Sequence, residues 1–227
     1  MNNINELIKG NREWALETKK NDPTFFEELS KGQAPHYLWI GCSDSRVPAN
    51  QVCGLVAGDV FVHRNVANVV SLTDLNCLSV LQYAVEVLKV KKIIVCGHYA
   101  CGGVEAVVKN QSFGLIDNWL TSVHEVKTSN EDFIKETLSY ITDEDELAKK
   151  TLDMMCELNA MHQAFNLSKT TVVKAAWERG MKFAIHAAIY GVADGKLYEL
   201  GTGISSREEL DVSYDIAIAG IKKRYGK

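Results

Sequence analysis

The stretches HYLWIGCSDSR (residues 36–46) and KIIVCGHYAC (residues 92–101) decide how this chain folds. Each opens with a continuous apolar run of strand length, which is typical of strands buried on both faces of a parallel sheet. The first run ends in Cys42 and Asp44, and the second ends in His98 and Cys101. Because open α/β sheets bind ligands at the carboxyl ends of their strands, the two stretches predict one shared site if their strands are neighbours.

These four side chains have the chemistry of a metal site. Two thiols and an imidazole form a ligand set that suits zinc. Cys101 precedes a helix predicted over 102–109, and the positive end of a helix dipole stabilises a thiolate there. Three protein ligands, Cys42, His98 and Cys101, leave one position of a tetrahedral ion open, which is typical of catalytic rather than structural zinc.

Asp44 and Arg46 bear on that fourth position. An aspartate two residues after Cys42 can point to the same place, and an arginine two residues further on can hold it as a charge-assisted pair. With Asp44 so held, water can occupy the metal and be converted to hydroxide near neutral pH. Because two thiolates already offset the charge of the ion, we expect a weaker effect than at an all-histidine zinc, and activity that favours mildly alkaline pH.

The other patterns along the chain predict an α/β fold. Apolar runs at 60–63 and 183–190 predict further strands, and Asp194-Gly195 predicts a hairpin turn into an antiparallel edge strand at 197–200. We therefore expect a mostly parallel central sheet of about four parallel strands plus that edge strand, flanked by helices. Helical spacing predicts helices at 4–19, after Pro23, at 74–89, at 102–109, through most of 114–179 and at 207–221.

The whole chain, residues 1–227, reads as a single domain. We divide it into an N-terminal helical arm (1–34), a zinc-binding α/β core (35–200) and a C-terminal helix (201–227). The arm precedes the first strand, so its helices must pack outside the sheet or extend onto a partner subunit. The 74–89 helix is apolar on several faces, which predicts that it is deeply buried or lies in a subunit interface.

Composition excludes two classes of function. The net charge is −4 and no Lys/Arg block stands out, which argues against a nucleic-acid binder. No apolar run approaches the roughly 18 residues of a membrane span, and the N-terminus lacks a secretory pattern, so we expect a cytoplasmic protein. Six cysteines in such a protein are expected to be free or metal-bound. Four are interpreted as small buried hydrophobes and five histidines as structural or surface groups: Cys53, Cys77, Cys96, Cys156, His36, His63, His124, His162 and His186.

Three motifs together carry a resemblance to a known family. They are C-S-D-S-R-V-P from residue 42, F-V-H-R-N-V-A-N from residue 61 and C-G-H-Y-A-C-G-G-V from residue 96. In this order and at this spacing the chain resembles the β-class carbonic anhydrases, and in particular a bacterial subgroup. The resemblance implies a lyase that hydrates carbon dioxide reversibly to bicarbonate and a proton, with one zinc per subunit and zinc hydroxide as the nucleophile.

The resemblance also implies residue roles. Zinc would be held by Cys42, His98 and Cys101, with Asp44 and Arg46 as a dyad. Carbon dioxide would lie in a narrow apolar pocket formed by Phe61, Val66 and Tyr83. Its oxygens would accept hydrogen bonds from Gln33 and from the backbone of Gly102. The family assembles as dimers or higher multiples, and because Tyr83 lies on the long apolar helix we expect it to serve the pocket of a neighbouring subunit in a dimer or tetramer.

A subgroup of that family binds bicarbonate away from the metal through Trp, Arg and Tyr. Trp39, Arg64 and Tyr190 match those positions. In the subgroup the aspartate can leave its arginine and ligate zinc, which closes the site. We hypothesise the same switch here, with bicarbonate and low pH favouring Asp44 on the metal.

Two alternatives remain open at this stage. One is hydrolysis of carbonyl sulfide or carbon disulfide on the same scaffold. The other is a zinc-stabilised interaction module without turnover, although a structural zinc needs neither Asp44 nor Arg46.

Overall fold

The computed structural model describes residues 3–227. One five-stranded sheet forms the centre of its larger unit, which spans Pro35–Lys227. Its strands are β1 (Tyr37–Cys42), β2 (Val60–Asn65), β3 (Lys92–His98), β4 (Ala184–Tyr190) and β5 (Leu197–Glu199). They lie in the order β2-β1-β3-β4-β5. The first four are parallel and β5 runs antiparallel to β4, so the predicted fold class is confirmed.

Helices flank this sheet. The α-helices of this unit are α3 (Ala49–Cys53), α4 (Leu75–Gln82), α5 (Gly102–Val108), α6 (Leu115–Trp119), α7 (Thr121–Ser129), α8 (Glu131–Thr137), α9 (Glu144–Lys169), α10 (Thr171–Glu178) and α11 (Leu210–Tyr225). The longest, α9, packs on β3 and β4. It approaches so closely that a Cβ on Gly97 would lie 3.2 Å from Ala160 Cβ. Glycine at position 97 therefore lets α9 lie directly against the strand that carries His98.

Side chains of β1 alternate between two apolar clusters. Leu38 and Ile40 are fully buried in the larger core beneath α9, whereas Trp39 belongs to a smaller cluster with Ala49 of α3. A strand buried on both faces explains why its sequence reads as a continuous apolar run rather than an alternating one.

The helix predicted at 74–89 is not a regular α-helix. After α4 the chain continues as a π-helical turn, Tyr83–Val87, in which Leu88 N donates to Tyr83 O at 3.0 Å. The expectation that this helix is deeply buried within the chain was wrong for part of its surface, because Leu75 is 76% exposed and Val87 is 58% exposed. The alternative, that this face lies in a subunit interface, stays a prediction.

Other bounds differ by a few residues. Strand β2 extends two residues beyond the predicted run and ends at Asn65. The predicted helical region 114–179 is divided into α6–α10, with Thr170 capping α10 through a hydrogen bond from Val173 N at 3.2 Å. The last helix begins at Leu210 rather than residue 207, and in the turn before it Ser205 N and Oγ both donate to the Glu209 carboxylate.

The N-terminal unit, up to Ala34, contains α1 (Ile4–Asn21) and α2 (Phe25–Ser30). The ring centroids of Trp14 and Phe26 lie 5.6 Å apart in an edge-to-face contact between the two helices. Helix α1 buries none of its residues 4–21 and exposes several large apolar side chains. Among residues 3–227, no helix has the length and hydropathy of a membrane span.

Candidate metal centre

The sheet brings the two stretches of the opening motif together. Strands β1 and β3 are parallel neighbours, with Gly41 paired in register with Cys96, so the predicted adjacency is confirmed. Cys42 ends β1, His98 ends β3, and Cys101 follows at the start of α5. The donor atoms of all three lie within 4.8 Å of one another, and the two Sγ atoms are 3.9 Å apart. This group is buried and has the chemistry of a zinc site.

His98 is oriented by its backbone neighbour. Its Nδ1 lies 2.9 Å from the carbonyl oxygen of Tyr99, and that acceptor fixes the proton on Nδ1. Nε2 is left free to ligate, and it is buried with no hydrogen-bond partner among the residues described. A buried imidazole nitrogen without a partner is unfavourable unless something binds it, so the residues present fit a metal ion.

The two thiol groups are hydrogen-bonded to each other through one proton, and either sulfur can be the donor. This contact lowers the pKa of Cys42 to about 4. The same contact, together with burial, raises the pKa of Cys101 well above its usual range. A soft divalent ion would take the place of that shared proton and bind both sulfurs.

Asp44 and Arg46 form a pair beside this group. Arg46 Nε and Nη2 donate to Asp44 Oδ1 and Oδ2 at 2.9 and 2.7 Å, and Arg46 N donates to Oδ1 at 2.9 Å. These bonds hold the pKa of Asp44 well below its usual range. Oδ2 also lies 3.7 Å from His98 Nε2. The carboxylate therefore faces the metal position while Arg46 holds it, and its predicted role as a fourth ligand would require that pair to break.

Arg64 connects β2 to the same loop. Its Nε donates to Cys42 O at 2.9 Å, and its Nη2 donates to Asp44 O. One guanidinium thus holds the backbone of both a metal-ligand candidate and the dyad aspartate.

Trp39 and Tyr190, the other members of the predicted bicarbonate triad, lie in the smaller apolar cluster. Trp39 is 1% exposed, and its Nε1 has no hydrogen-bond partner within residues 3–227. That nitrogen lies over Gly41, since a Cβ on Gly41 would be 2.2 Å from it. Gly41 is paired in register with Arg64, so the indole nitrogen lies on the face of the sheet that Arg64 shares.

Val66 and Gly102 lie at the carboxyl edge of the sheet, whereas Phe61, paired in register with Leu38, lies near the start of β2. The rings of Phe61 and Tyr83 are 5.8 Å apart. Val66 is held by Trp119, whose Nε1 donates to Val66 O at 2.9 Å. Gly102 begins α5, where the first backbone N–H groups of a helix have no intrahelical acceptor. The last candidate, Gln33, belongs to the N-terminal unit. The roles of all five stay predictions.

The sequence reasoning missed a buried polar network behind the 98–101 turn. Glu157 on α9 is 0% exposed and accepts hydrogen bonds from Tyr99, Arg224 and Tyr225. A glutamate within a long charged helix carries no signal of burial. Only the packing of α9 against β3 distinguishes Glu157 from the glutamates that face solvent.

A second group of metal-type side chains, His63, Asp74 and Cys77, also has donor atoms within 4.8 Å of one another. Burial raises the pKa of Cys77 to about 12, and Asn65 Nδ2 lies 3.2 Å from His63 Nε2. The sulfur therefore holds its proton and one ring nitrogen is already paired. We interpret this group as structural, in line with the sequence-based expectation for its cysteine and histidine.

Comparison with known proteins finds relatives that all belong to one family. A family model described as carbonic anhydrase matches residues 37–197. The chain is similar to a curated carbonic anhydrase of Emericella nidulans, with 40% identity over 220 residues that cover 97% of this chain and 89% of that protein.

Solved structures agree with this. The chain is similar to a Coccomyxa β-carbonic anhydrase in complex with acetazolamide, with a TM-score of 0.81 and 38% identity over 92% of this chain and 91% of that one. It is also similar to one of two tetrameric β-carbonic anhydrases of Sordaria macrospora, with a TM-score of 0.79 and 37% identity over 89% and 98% of the two chains. A β-carbonic anhydrase of Aspergillus fumigatus has a TM-score of 0.79 and 32% identity over 99% of both chains.

Proposed function

This chain belongs to the carbonic anhydrase family, in its β class, and on that basis we propose that it is a zinc-dependent enzyme that hydrates carbon dioxide reversibly to bicarbonate and a proton. Membership of an enzyme family sets aside the non-catalytic interaction module. The observation that carries the zinc proposal is the buried group of Cys42, His98 and Cys101, whose Nε2 atom has no partner in the described part of the chain.

Each ligand contributes through a contact that is already formed. Cys42 and Cys101 supply sulfur in exchange for one shared proton, and Tyr99 O directs His98 Nε2 toward the ion. When bound, zinc supplies a Lewis acid that lowers the pKa of a coordinated water, so that hydroxide is available near neutral pH. The wholly buried setting strengthens electrostatic interactions within the site.

Asp44 acts as the hydrogen-bond acceptor that orients the nucleophile. Its carboxylate stays ionised because Arg46 holds its pKa well below the usual range. Oδ2, which lies 3.7 Å from His98 Nε2, faces the place where the nucleophile must be. An acceptor held in this way fixes the direction of attack and costs no reorganisation when the reaction occurs.

Carbon dioxide is apolar and linear, so its pocket must be narrow and dry. Phe61, Val66 and Tyr83 would supply its apolar walls; Val66 follows β2, whereas the paired rings of Phe61 and Tyr83 lie toward the start of that strand, where they could serve the pocket of a neighbouring subunit. The Gly102 N–H, unpaired within its own helix, would donate to one substrate oxygen, and Gln33 would donate to the other.

The dyad also offers a way to close the site. If Asp44 left Arg46 and bound the metal, no position would remain for water. We propose that low pH and bicarbonate favour this state, with bicarbonate bound by Trp39, Arg64 and Tyr190. The support is that Arg64 donates to Asp44 O and Cys42 O, so an anion that draws Arg64 away would release the dyad loop.

Self-association fits the exposed apolar surfaces. Helix α1 exposes Leu7 and Leu16 at 65% and 72%, and Leu75 and Val87 are exposed after β2. The Sordaria relative is tetrameric, and we propose that this chain forms a dimer or tetramer in which the N-terminal arm extends onto a partner. The cytoplasmic location and the bacterial subgroup stay predictions.

A stopped-flow hydration assay on zinc-replete protein tests the proposal. We expect carbon dioxide hydration that rises toward mildly alkaline pH, with about one zinc per chain. Carbonyl sulfide and carbon disulfide are assayed in parallel, and a higher kcat/KM for either would replace carbon dioxide as the substrate. Inhibition by added bicarbonate that is lost in Arg64→Gln would support the switch, whereas equal inhibition of both proteins would contradict it.

A further inference from the structure

The turn that carries two metal-ligand candidates, residues 98–101, is not held by its own backbone alone. Tyr99 lies within it and contributes the carbonyl that orients His98 Nδ1, while Tyr99 N donates to Tyr190 O at 3.0 Å. The next residue, Ala100, has a φ of 55°, in the left-handed region. A residue with a side chain keeps that conformation only when its surroundings impose it.

The side chain of Tyr99 supplies such a constraint. Its hydroxyl donates to Glu157 Oε1 at 2.6 Å, which ties the turn to α9. Glu157 is 0% exposed, so the acceptor has no solvent to compete for it.

A buried carboxylate needs partners, and the end of the chain provides them. Arg224 Nε and Nη2 donate to Glu157 Oε2 at 3.0 and 2.5 Å, and the Tyr225 hydroxyl donates to Oε1 at 2.9 Å. Both residues belong to the last turn of α11. The carboxylate therefore accepts hydrogen bonds from the terminal helix on one side and from the 98–101 turn on the other.

The network also borders the dyad. Arg46, Tyr99, Glu157, Arg224 and Tyr225 line one cavity of about 730 Å³. Arg46 Nη2 donates to Ala100 O at 3.3 Å, so the same turn is held by the dyad from one side and by Tyr99 from the other.

We propose that Glu157 is a positioning residue for the metal centre, which couples the docking of helix α11 to the conformation of the 98–101 turn. This inference rests on the zinc site of the proposed function. Partners that orient a metal ligand from outside contribute about 10- to 100-fold in metal affinity. Loss of the Tyr99–Glu157 contact should therefore be visible in zinc retention, separately from any change in turnover.

Tyr99→Phe and Glu157→Gln are the test variants, and Tyr198→Phe is the matched control. Tyr198 lines the same cavity and loses the same atom in the control, but its hydroxyl donates to Asp194 and not to Glu157 or to α11. The readouts are the rate of zinc release to excess chelator and the visible spectrum of the cobalt-substituted protein. We expect release about 10-fold faster in both test variants, a shifted cobalt spectrum, and wild-type behaviour in the control.

Arg224 separates charge from packing. Arg224→Lys keeps a cation beside Glu157 and should retain slow release, whereas Arg224→Met should release zinc as fast as Glu157→Gln. If Glu157→Gln fails to fold, Tyr99→Phe still tests the contact, because it leaves the carboxylate its partners on α11.

The outcomes distinguish the two proposals. Wild-type protein that binds no zinc would overturn the proposed function and this inference with it. Wild-type protein that retains zinc, with Tyr99→Phe and Glu157→Gln equal to Tyr198→Phe in release rate and cobalt spectrum, would overturn the positioning role alone.

Discussion

Replacement of Asp44 by asparagine removes one charge from the site while keeping the shape of the side chain. Asp44 Oδ1 accepts two hydrogen bonds from Arg46 and Oδ2 accepts one, at 2.9, 2.9 and 2.7 Å. An amide nitrogen at the Oδ1 position would deprive two donors of their acceptor, and at the Oδ2 position only one. The amide should therefore place its nitrogen at Oδ2, the position that lies 3.7 Å from His98 Nε2.

The variant thus puts a donor where the proposed mechanism needs an acceptor. Removing one preorganised hydrogen-bonding group costs about 10²- to 10³-fold in rate. The lower figure corresponds to about 2.7 kcal/mol of transition-state stabilisation, and we expect kcat/KM to fall by at least that factor. Zinc should remain bound, because Cys42, His98 and Cys101 are unchanged.

Stopped-flow hydration with metal analysis of the same samples measures both quantities. Asp117→Asn is the matched control, because Asp117 also accepts backbone hydrogen bonds, from Phe113 and Gly114, but lies outside the metal centre. A zinc-replete Asp44→Asn protein with kcat/KM within a few-fold of wild type would refute the assigned role.

Arg46→Met and the double variant extend the test. If the pair acts as a unit, loss of Arg46 alone already frees Asp44 from its position. The double variant should then be no slower than the slower single variant. Fully multiplicative losses would show that the two residues act independently.

Three further predictions follow from the same contacts. Cys42→Ala should lose bound zinc in metal analysis, whereas Cys53→Ala should keep it; full retention in both would contradict the ligand assignment. Gly41→Ala places a Cβ 2.2 Å from Trp39 Nε1 in a buried cluster. The free energy of unfolding should fall by about 1–3 kcal/mol, which thermal unfolding measures. An unchanged Tm would show that the indole ring can move aside without cost. The pKa of Cys42 is about 4, and the thiol is anionic above its pKa, so metal-free protein should keep the ultraviolet absorbance of one thiolate from neutral pH down to about that value. A thiolate absorbance that appears only above about pH 8 would argue against the shared proton.

Short-range pattern was sufficient for the strands and for the order of the site motifs. Continuous apolar runs marked β1 and β3 because both strands are buried on two faces. It was not sufficient for the π-helical turn at Tyr83–Val87, since a change of hydrogen-bond register from i+4 to i+5 leaves no mark in composition. The start of α11 was also displaced, from residue 207 to Leu210, because composition alone does not fix where the first helical hydrogen bond forms.

The sequence by itself determined which chemical groups this protein can bring to a metal, because two thiols, an imidazole and an aspartate each follow a strand, and parallel strands end at one edge. The spacing of Asp44 and Arg46 also predicted their pairing. Only the tertiary structure decided what holds the 98–101 turn, because Tyr99 donates to Glu157, which is 58 residues away along the chain. Local sequence specifies dihedral preferences and apolar periodicity, whereas a buried carboxylate finds its partners through the packing of elements that are distant along the chain.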